Sequence, residues 1–457
     1  MRQFANPKFL FNILKSYMTD IDRLWKIDEK KLRKYQNKAI RNMIKYAYTV
    51  PLYHDKYKKA GIHPDDIKGI EDLLKLPFIT KDDLRNNYPN RIIPRDFNKK
   101  NGFVISTSGS TGKPVFIYID RFSAIRSLLI FARELKAYGG NWRKSKVALI
   151  IDLEPGSAEK AFFSESVTPF LKRFISIDNI KYIHLGDNPQ KIIKELDDFN
   201  PEYLGSDPNM LRQLAHLKNE RYGENVKPKY LFSSGSMLDD YTKNYVEKAF
   251  NAKVFDIYGT TEAGPLAFKC PNGNYHIHSD FVYFEFLDDK NQPVDFGEPG
   301  HIVITKLYGK GTPIIRYTGI DDIAIPIKEN DCCKVTCQMI KKIEGRASEL
   351  IYLPDGKTLS PLSVTGIPAK VMEKFDCHKI KQFQIIQHSL NDIEILIVLD
   401  KKQKQVEVTD EEILNELHKK FSEKIGNNVK IKITQTNEIQ EDGKANQVKV
   451  IVTKIKK

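Results

Sequence analysis

The stretch Ser106-Thr-Ser-Gly-Ser-Thr-Gly-Lys-Pro114, written STSGSTGKP, packs hydroxyls, glycines and one lysine between two β-type runs, GFVI and VFIYI. Glycine lets a backbone turn sharply and bring N–H groups close to an anion. Hydroxyls add donors and Lys113 adds charge, so the loop suits a polyphosphate. The Walker A pattern G-x-x-x-x-G-K-[ST] is not met. Thr107 stands where its first glycine belongs, and Pro114 stands where its Ser or Thr belongs. The element after the loop also reads as a strand, not a helix. The plain alternative is a polar hairpin turn.

Upstream of the loop, residues 1–100 read as helix-rich, with apolar spacing at Leu32, Tyr35, Ala39, Ile40, Met43 and Ala47. Downstream, VALIIDL (147–153) and KYLFSSGS (229–236) are short β-type runs, with amphipathic helical segments at 188–199 and 208–219. Such alternation argues for an α/β architecture with a largely parallel sheet. From about residue 281 the texture becomes strand-like, in FVYFEFLDD, GHIVITKL and DDIAIPI. After Gly345 it changes again. KIKQFQIIQ (379–387), DIEILIVLD (392–400) and NVKIKITQT (428–436) read as strands. TDEEILNELHKKFSEKIG (409–426) reads as a helix capped by Thr409 and stopped by Gly426. The expectation is a large N-terminal domain, 1–345, with mostly parallel sheets and a β-rich subdomain. A small mobile α+β domain, 346–457, follows it.

The chain has 457 residues, 41% hydrophobic and 29% charged, which suits a soluble globular protein of more than one domain. No run approaches the ~20 uncharged apolar residues of a membrane helix. The N-terminal segment lacks a continuous apolar signal core, its apolar residues being broken by Lys8 and Lys15. A cytoplasmic protein is expected, with neither a membrane nor a nucleic-acid partner. The formal charge is +14, but it is spread along the chain with carboxylates interleaved. A lysine-rich surface explains it, and polyanionic small molecules would benefit from it. Cys270, Cys332, Cys333, Cys337 and Cys377 do not make a secreted disulfide framework. They point to a metal site or to inert thiols.

STSGSTGKP followed by DIYGTTEAG (256–264), RYTGIDD (316–322), IEGRASELI (343–351) and EDGKANQVKV (441–450) resembles, in order, the motifs of the adenylate-forming superfamily. That superfamily holds acyl-CoA synthetases, adenylation domains and luciferases. The region 50–89, VPLYHDKYKKAGIHPDDIKGIEDLLKLPFITKDDLRNNYP, is similar to the N-terminal part of the phenylacetate–coenzyme A ligase family. That family includes coenzyme F390 synthetase-like and capsule-biosynthesis-like members.

The resemblance implies roles for particular residues. Thr107, Ser108, Gly109, Ser110, Thr111, Gly112 and Lys113 would hold the β- and γ-phosphates of ATP. Gly235, Ser236 and Met237 would form the adenine-side wall. In the segment from Asp256 and Ile257 to Glu262, Tyr258 would lie against adenine and Gly259 would admit close approach. Thr260, with Thr261 beside it, would bond the α-phosphate. Glu262 would bind Mg²⁺, a hard cation suited to carboxylate oxygen. Asp322 would take the ribose hydroxyls, with Asp321 as the alternative. Arg316 would either contact the nucleotide or pair with an acid. Arg346 marks the hinge and is a nucleotide contact. Lys444 is the expected catalytic lysine, bridging substrate carboxylate and α-phosphate.

Cys270-x5-His276 and Cys333-x3-Cys337 are candidate ligands for a structural Zn²⁺, with Cys332 as an alternate. Inert thiols and a solvated histidine are the competing reading. His276 and His278 are poor candidates for a catalytic base, since an ionised acid needs none.

The implied reaction is activation of a carboxylic acid, an aryl acid such as phenylacetate being one candidate, to an acyl-AMP with loss of pyrophosphate. Transfer to coenzyme A follows, giving acyl-CoA and AMP. The expected partners are the small-molecule acid, ATP and coenzyme A, and a homodimer is admitted. Two other readings stand beside it. One is adenylyl transfer to a cofactor hydroxyl, as in F390 synthetase-like members. The other is a non-catalytic basic nucleic-acid-binding protein.

Overall fold

The computed structural model describes residues 6–107, 114–154, 157, 159–160, 178–328, 333–375, 377, 379–400, 408–426, 428–439 and 450–455. The element after the glycine-rich loop is a strand, as its sequence indicates. Gly102–Ser106 (β1) pairs antiparallel with Phe116–Asp120 (β2).

The N-terminal region is helical: α1 (Pro7–Thr19), α2 (Arg23–Lys26), α3 (Glu29–Ala47), α4 (Pro51–Lys59) and α5 (Lys81–Asn87). α3 forms where the apolar spacing predicts. Asp28 caps it by accepting from the Lys31 N–H at 2.7 Å, and its inner face buries Leu32, Ile40, Met43, Ile44 and Ala47. α6 (Arg121–Ala137) follows β2 directly, capped by Asp120. Buried ion pairs staple the N-terminus to it. Asp20, at the end of α1, takes Arg126 at 2.8 Å and Arg23 at 2.5 Å, while Asp280 takes Arg133 and Arg23 at 2.8 Å each.

The central sheet has eleven strands among the described residues. β3 (Val147–Ile151), β4 (Ile180–His184), β5 (Tyr203–Ser206), β6 (Tyr230–Ser233) and β7 (Lys253–Thr260) alternate with α7 (Pro189–Phe199), α8 (Pro208–Asn219) and α9 (Asp240–Phe250). These strands run parallel in the order β4-β3-β5-β6-β7. Leu204, Leu231 and Val254 point to the α7–α9 side, and Tyr203 and Phe232 join Tyr138, just past α6, on the other. Burial on both faces is what makes these strands read as continuous apolar runs.

β8 (Gly264–Lys269), β9 (Tyr275–Ile277), β10 (Val282–Leu287), β11 (Gly300–Lys306), β12 (Asp322–Ile327) and β13 (Met339–Arg346) continue the same sheet, antiparallel, in the order β7-β8-β9-β13-β12-β11-β10. The β-rich region expected from the sequence is therefore joined to the parallel half through β7. The first half of β7, Lys253 to Asp256, pairs parallel with β6. Its second half, Ile257 to Thr260, pairs antiparallel with β8.

After Arg346 come β14 (Ile351–Tyr352), β15 (Thr358–Leu359), α10 (Pro361–Thr365), α11 (Ile367–Lys374), β16 (Ile380–Ser389), β17 (Asp392–Leu399), α12 (Asp410–Ile425), β18 (Lys430–Gln435) and β19 (Ile451–Thr453). α12 has the capping box its sequence indicates, Thr409 and Glu412 bonding each other's backbone N–H, and it ends at Gly426 with φ 103°. The sheet β18-β17-β16-β19 buries Ile385, Ile393, Ile395 and Ile397 with Leu417 and Phe421 of α12 in a core of its own. Against the α8–α9 side it is held by Arg212, which donates to the Lys381 carbonyl at 3.2 Å.

Candidate active site

The parallel half of the sheet ends its strands where β7 changes partner, and ligands in open α/β sheets bind outside such carboxyl ends. Ser233 of β6 and Asp256 of β7 are register neighbours there. The chain beyond Ser233 turns at Gly235, whose φ of 89° favours glycine, and leads to Ser236 and Met237. The Met237 methyl lies against Gly345, where a Cβ would meet it at 3.1 Å. Met237, of the adenine-wall candidates, and Gly345, next to the hinge candidate Arg346, thus lie side by side.

Two tyrosine–carboxylate pairs close the rest. The Tyr258 hydroxyl donates to Asp322 Oδ2 at 2.6 Å, and the Tyr317 hydroxyl donates to Glu262 Oε1 at 2.8 Å. Asp322 opens β12 and is the register partner of Arg346 at the end of β13. Burial raises the Asp322 carboxyl above its ordinary range, opposed by the Tyr258 hydroxyl, Arg346 and Lys81. Burial and the neighbouring carboxylates keep both tyrosines neutral. Each tyrosine therefore donates, and each carboxylate keeps a second oxygen for another partner. Thr260 Oγ1 accepts from the Ala263 N–H at 3.2 Å, which fixes the turn carrying Thr261 and the buried Glu262.

Asp321 differs from its neighbour. With φ 65° it faces the following segment: its carbonyl accepts from Ala347 N–H at 2.7 Å and its carboxylate from Ser348 N–H at 3.1 Å. Arg346 lies 3.5 Å from Glu349. Asp256 is half-buried and accepts from the Tyr275 hydroxyl, and loss of solvation pushes its carboxyl up to about 6.

At the base of the glycine-rich loop, Thr107 N–H donates to Val115 O at 3.0 Å, and Val115 N–H donates to Thr107 Oγ1 at 2.9 Å. Val115 and Ile117 are buried in the large hydrophobic cluster that also takes in Ala263, Leu266 and Tyr317. Ser108, Gly109, Ser110, Thr111, Gly112 and Lys113 lie outside the described residues, as do Lys444 and Cys332.

Arg316 resolves to the acid-pairing alternative. With φ 46° it turns into the protein and meets Glu285 at 2.9 Å. It also donates to the Leu74 and Leu76 carbonyls at 3.2 and 2.6 Å and covers the Phe78 ring at 4.2 Å. Ile79 then bonds Arg316 O, and Thr318 bonds Ile79 O, at 3.0 Å each. This clamp starts α5 beside the site and brings two cations that the sequence reading missed. Lys81 acts electrostatically on Asp322, and Arg85 acts on Tyr317. Both stand in ITKDDLR (79–85), where Thr80 caps α5, and nothing local to that stretch says where the helix docks.

A second cluster sits at the far ends of the same short strands. Cys270, in the turn between β8 and β9, His276 of β9 and Cys333 bring donor atoms within 4.8 Å of one another. Cys337 Sγ is 3.4 Å from His276 Nδ1. In a tetrahedral zinc site the S···N edge is about 3.6 Å, from bonds of about 2.3 and 2.05 Å. Burial opposes ionisation of the Cys270 thiol, but hydrogen bonds from His276, the Asn274 backbone and Cys333 bring it down to about 6. Thiolate character and mixed S/N donors suit zinc. His278 is apart from this set: it is buried against Glu134 Oε1 at 2.9 Å and Arg133.

Comparison with known proteins fits this geometry. Residues 354–452 match the CapK C-terminal domain. The chain is 25% identical over 390 residues to a phenylacetate-coenzyme A ligase of Pseudomonas putida, covering 80% of this chain and 82% of the relative. It is 25% identical over 395 residues to protein CapK of Staphylococcus aureus, covering 84% and 82%. Among solved structures, 2-hydroxyisobutyryl-CoA ligase in the postadenylation state with 2-HIB-AMP superposes with a TM-score of 0.76 at 18% identity, covering 93% of this chain and 90% of that one. Anthranilate CoA ligase AuaEII with anthranoyl-AMP gives a TM-score of 0.53 at 14% identity, covering 82% and 74%.

The fold is that of the adenylate-forming CoA ligases. Phenylacetate-coenzyme A ligases and protein CapK are among the curated relatives whose sequences this chain resembles.

Proposed function

We propose that this protein is an AMP-forming acid–thiol ligase. It activates a carboxylic acid with ATP as an acyl-AMP, releases pyrophosphate, and passes the acyl group to coenzyme A. The observation that carries this reading is the pair of tyrosine–carboxylate contacts, which leave one oxygen each on Asp322 and Glu262, both tied to the Tyr258–Glu262 segment that carries Thr260.

In this reading Asp322 takes the ribose hydroxyls and Tyr258 lies along the adenine. Thr260 donates to the α-phosphate. Glu262 would hold Mg²⁺, which would offset phosphate charge and leave pyrophosphate a better leaving group. Lys81 and Arg85 add positive charge near Asp322 and Tyr317. The acid oxygen attacks the α-phosphorus, the bond to pyrophosphate breaks, and Lys444 stabilises the charge that builds up. The thiol of coenzyme A then attacks the acyl carbonyl and AMP leaves. The segment 346–457 acts as the lid, with its pivot near Arg346. Asp321 bonds the backbone just past that point, which suits a pivot support better than a ribose ligand. Zn²⁺ would be held by Cys270, His276, Cys333 and Cys337, tying the β8–β9 turn to the chain entering β13.

The test is product analysis with a panel of aryl and small aliphatic acids, ATP and coenzyme A. Pyrophosphate, AMP and an acyl-CoA should appear together, each dependent on the acid. Acid-independent ATP consumption, or an AMP-modified product with no thioester, would refute the proposal.

A further inference from the structure

α1 carries four of the large hydrophobic side chains that the described residues leave exposed: Leu10, Phe11, Leu14 and Met18, at 40, 63, 57 and 69%. On a helical wheel they form one continuous arc. The arc beside it is used. Phe9 packs edge-on to Phe122, Tyr17 edge-on to Trp142, and Ser16 is buried. Asp20, just past the helix, is locked by Arg23, Arg126 and the Arg133 bonds to its carbonyl. The helix is thus pinned by one face and presents a second apolar face outward.

The borders of that face say what it fits. Lys8 and Lys15 lie along one edge, both exposed. The other edge is Tyr17, with Arg143 over its ring at 5.2 Å and over Trp142 at 5.3 Å, and exposed Lys144 follows. α1 contains no acidic residue, and the whole chain carries +14. An apolar stripe edged by cations and by a Tyr–Trp pair is the pattern of a helix lying in a membrane interface, where lysines reach the headgroups and amphipathic rings sit at headgroup level. The four side chains expose about 400 Å² of apolar surface. A stable protein interface needs about 800 Å² per partner, and cationic borders would face each other across a two-fold contact.

We propose that the α1 face docks this protein on an anionic phospholipid surface. The sequence reading expected no membrane partner because it looked for a spanning segment, and none of the helices described is long and apolar enough to span. A surface-lying helix needs only one apolar arc. The proposal is independent of the catalytic reading.

The test is flotation of the full-length protein with vesicles of phosphatidylcholine alone or mixed with phosphatidylglycerol. The wild type should float with the anionic vesicles and not with the neutral ones. Phe11→Ser/Leu14→Ser should reduce partitioning more than tenfold with no change of charge, while leaving any ATP–pyrophosphate exchange and the melting temperature unaltered. Lys8→Gln/Lys15→Gln should weaken it about fivefold per lysine. Equal flotation of the wild type and the serine variant would reduce the effect to general basicity and overturn the proposal. So would absence of flotation, or a wild-type dimer that the serine variant turns into a monomer.

Discussion

The two polar clusters of the antiparallel half sit on the same short strands and arrange their donor atoms in opposite ways. At one end, Tyr258–Asp322 and Tyr317–Glu262 are pairs in which a neutral hydroxyl satisfies one carboxylate oxygen and leaves another for a partner. At the other end, Cys270, His276 and Cys333 bring donor atoms within 4.8 Å of one another, and Cys337 Sγ lies 3.4 Å from His276 Nδ1. In the proposed reading the first serves a ligand that arrives and leaves. The second has the thiol and imidazole donors that would suit a structural zinc ion. Asp256 and Tyr275 bridge the two, since Tyr275 precedes His276 and its hydroxyl meets Asp256 in the DIYGTTE segment. The contrast teaches that residue type alone does not separate a reacting site from a structural one. What separates them is whether donor capacity is left over.

The sharpest way to break this comparison is at Glu262. Glu262→Gln keeps the shape and the Tyr317 hydrogen bond but removes the charge, so acid-dependent ATP–pyrophosphate exchange should fall on the order of 10²-fold. The melting temperature should stay close to that of the wild type. Cys337→Ser should do the reverse. Bound zinc, measured on protein purified without added metal, should drop below one per chain, and the melting temperature should fall by about 5 °C or more. Residual exchange per folded molecule should change little. A wild type that carries no zinc would remove the second half of the comparison.

Much of the frame was legible before any coordinates. The strand after the loop, the α7 and α8 segments, the capping box of α12 and the motif order were all carried by local pattern. The residues that complete the site were not. Tyr317 sits beside Arg316 in one motif, yet Arg316, at positive φ, turns away to Glu285 and the carbonyls of Leu74 and Leu76, while Tyr317 reaches Glu262. That division depends on a partner far along the chain, which no local periodicity encodes. Lys81 and Arg85 were missed for the same reason. The continuity of the sheet through β7 was missed because the parallel and antiparallel edges of one strand leave the same apolar pattern.

Smaller effects sharpen the picture. Tyr258→Phe removes one hydrogen bond to a carboxylate and should raise KM for ATP about tenfold with little change in kcat. For Asp256, burial holds the folded carboxyl at about 6, above an unfolded value of 3.8. The folded state therefore binds that proton more tightly, and the stability it contributes below about pH 4 is lost as pH rises through about 6. Asp256→Asn should melt above the wild type at pH 7, with the gain shrinking toward pH 4.5. The difference is at most about 3 kcal/mol.

The central claim is that both tyrosine–carboxylate pairs serve one nucleotide, Asp322 through its ribose and Glu262 through its metal. Titration of ATP, with and without Mg²⁺, into wild type, Asp322→Asn and Glu262→Gln tests it most directly. The account predicts that Asp322→Asn weakens ATP under both conditions, while Glu262→Gln weakens it only when Mg²⁺ is present. Unchanged Mg·ATP affinity in either variant would contradict it.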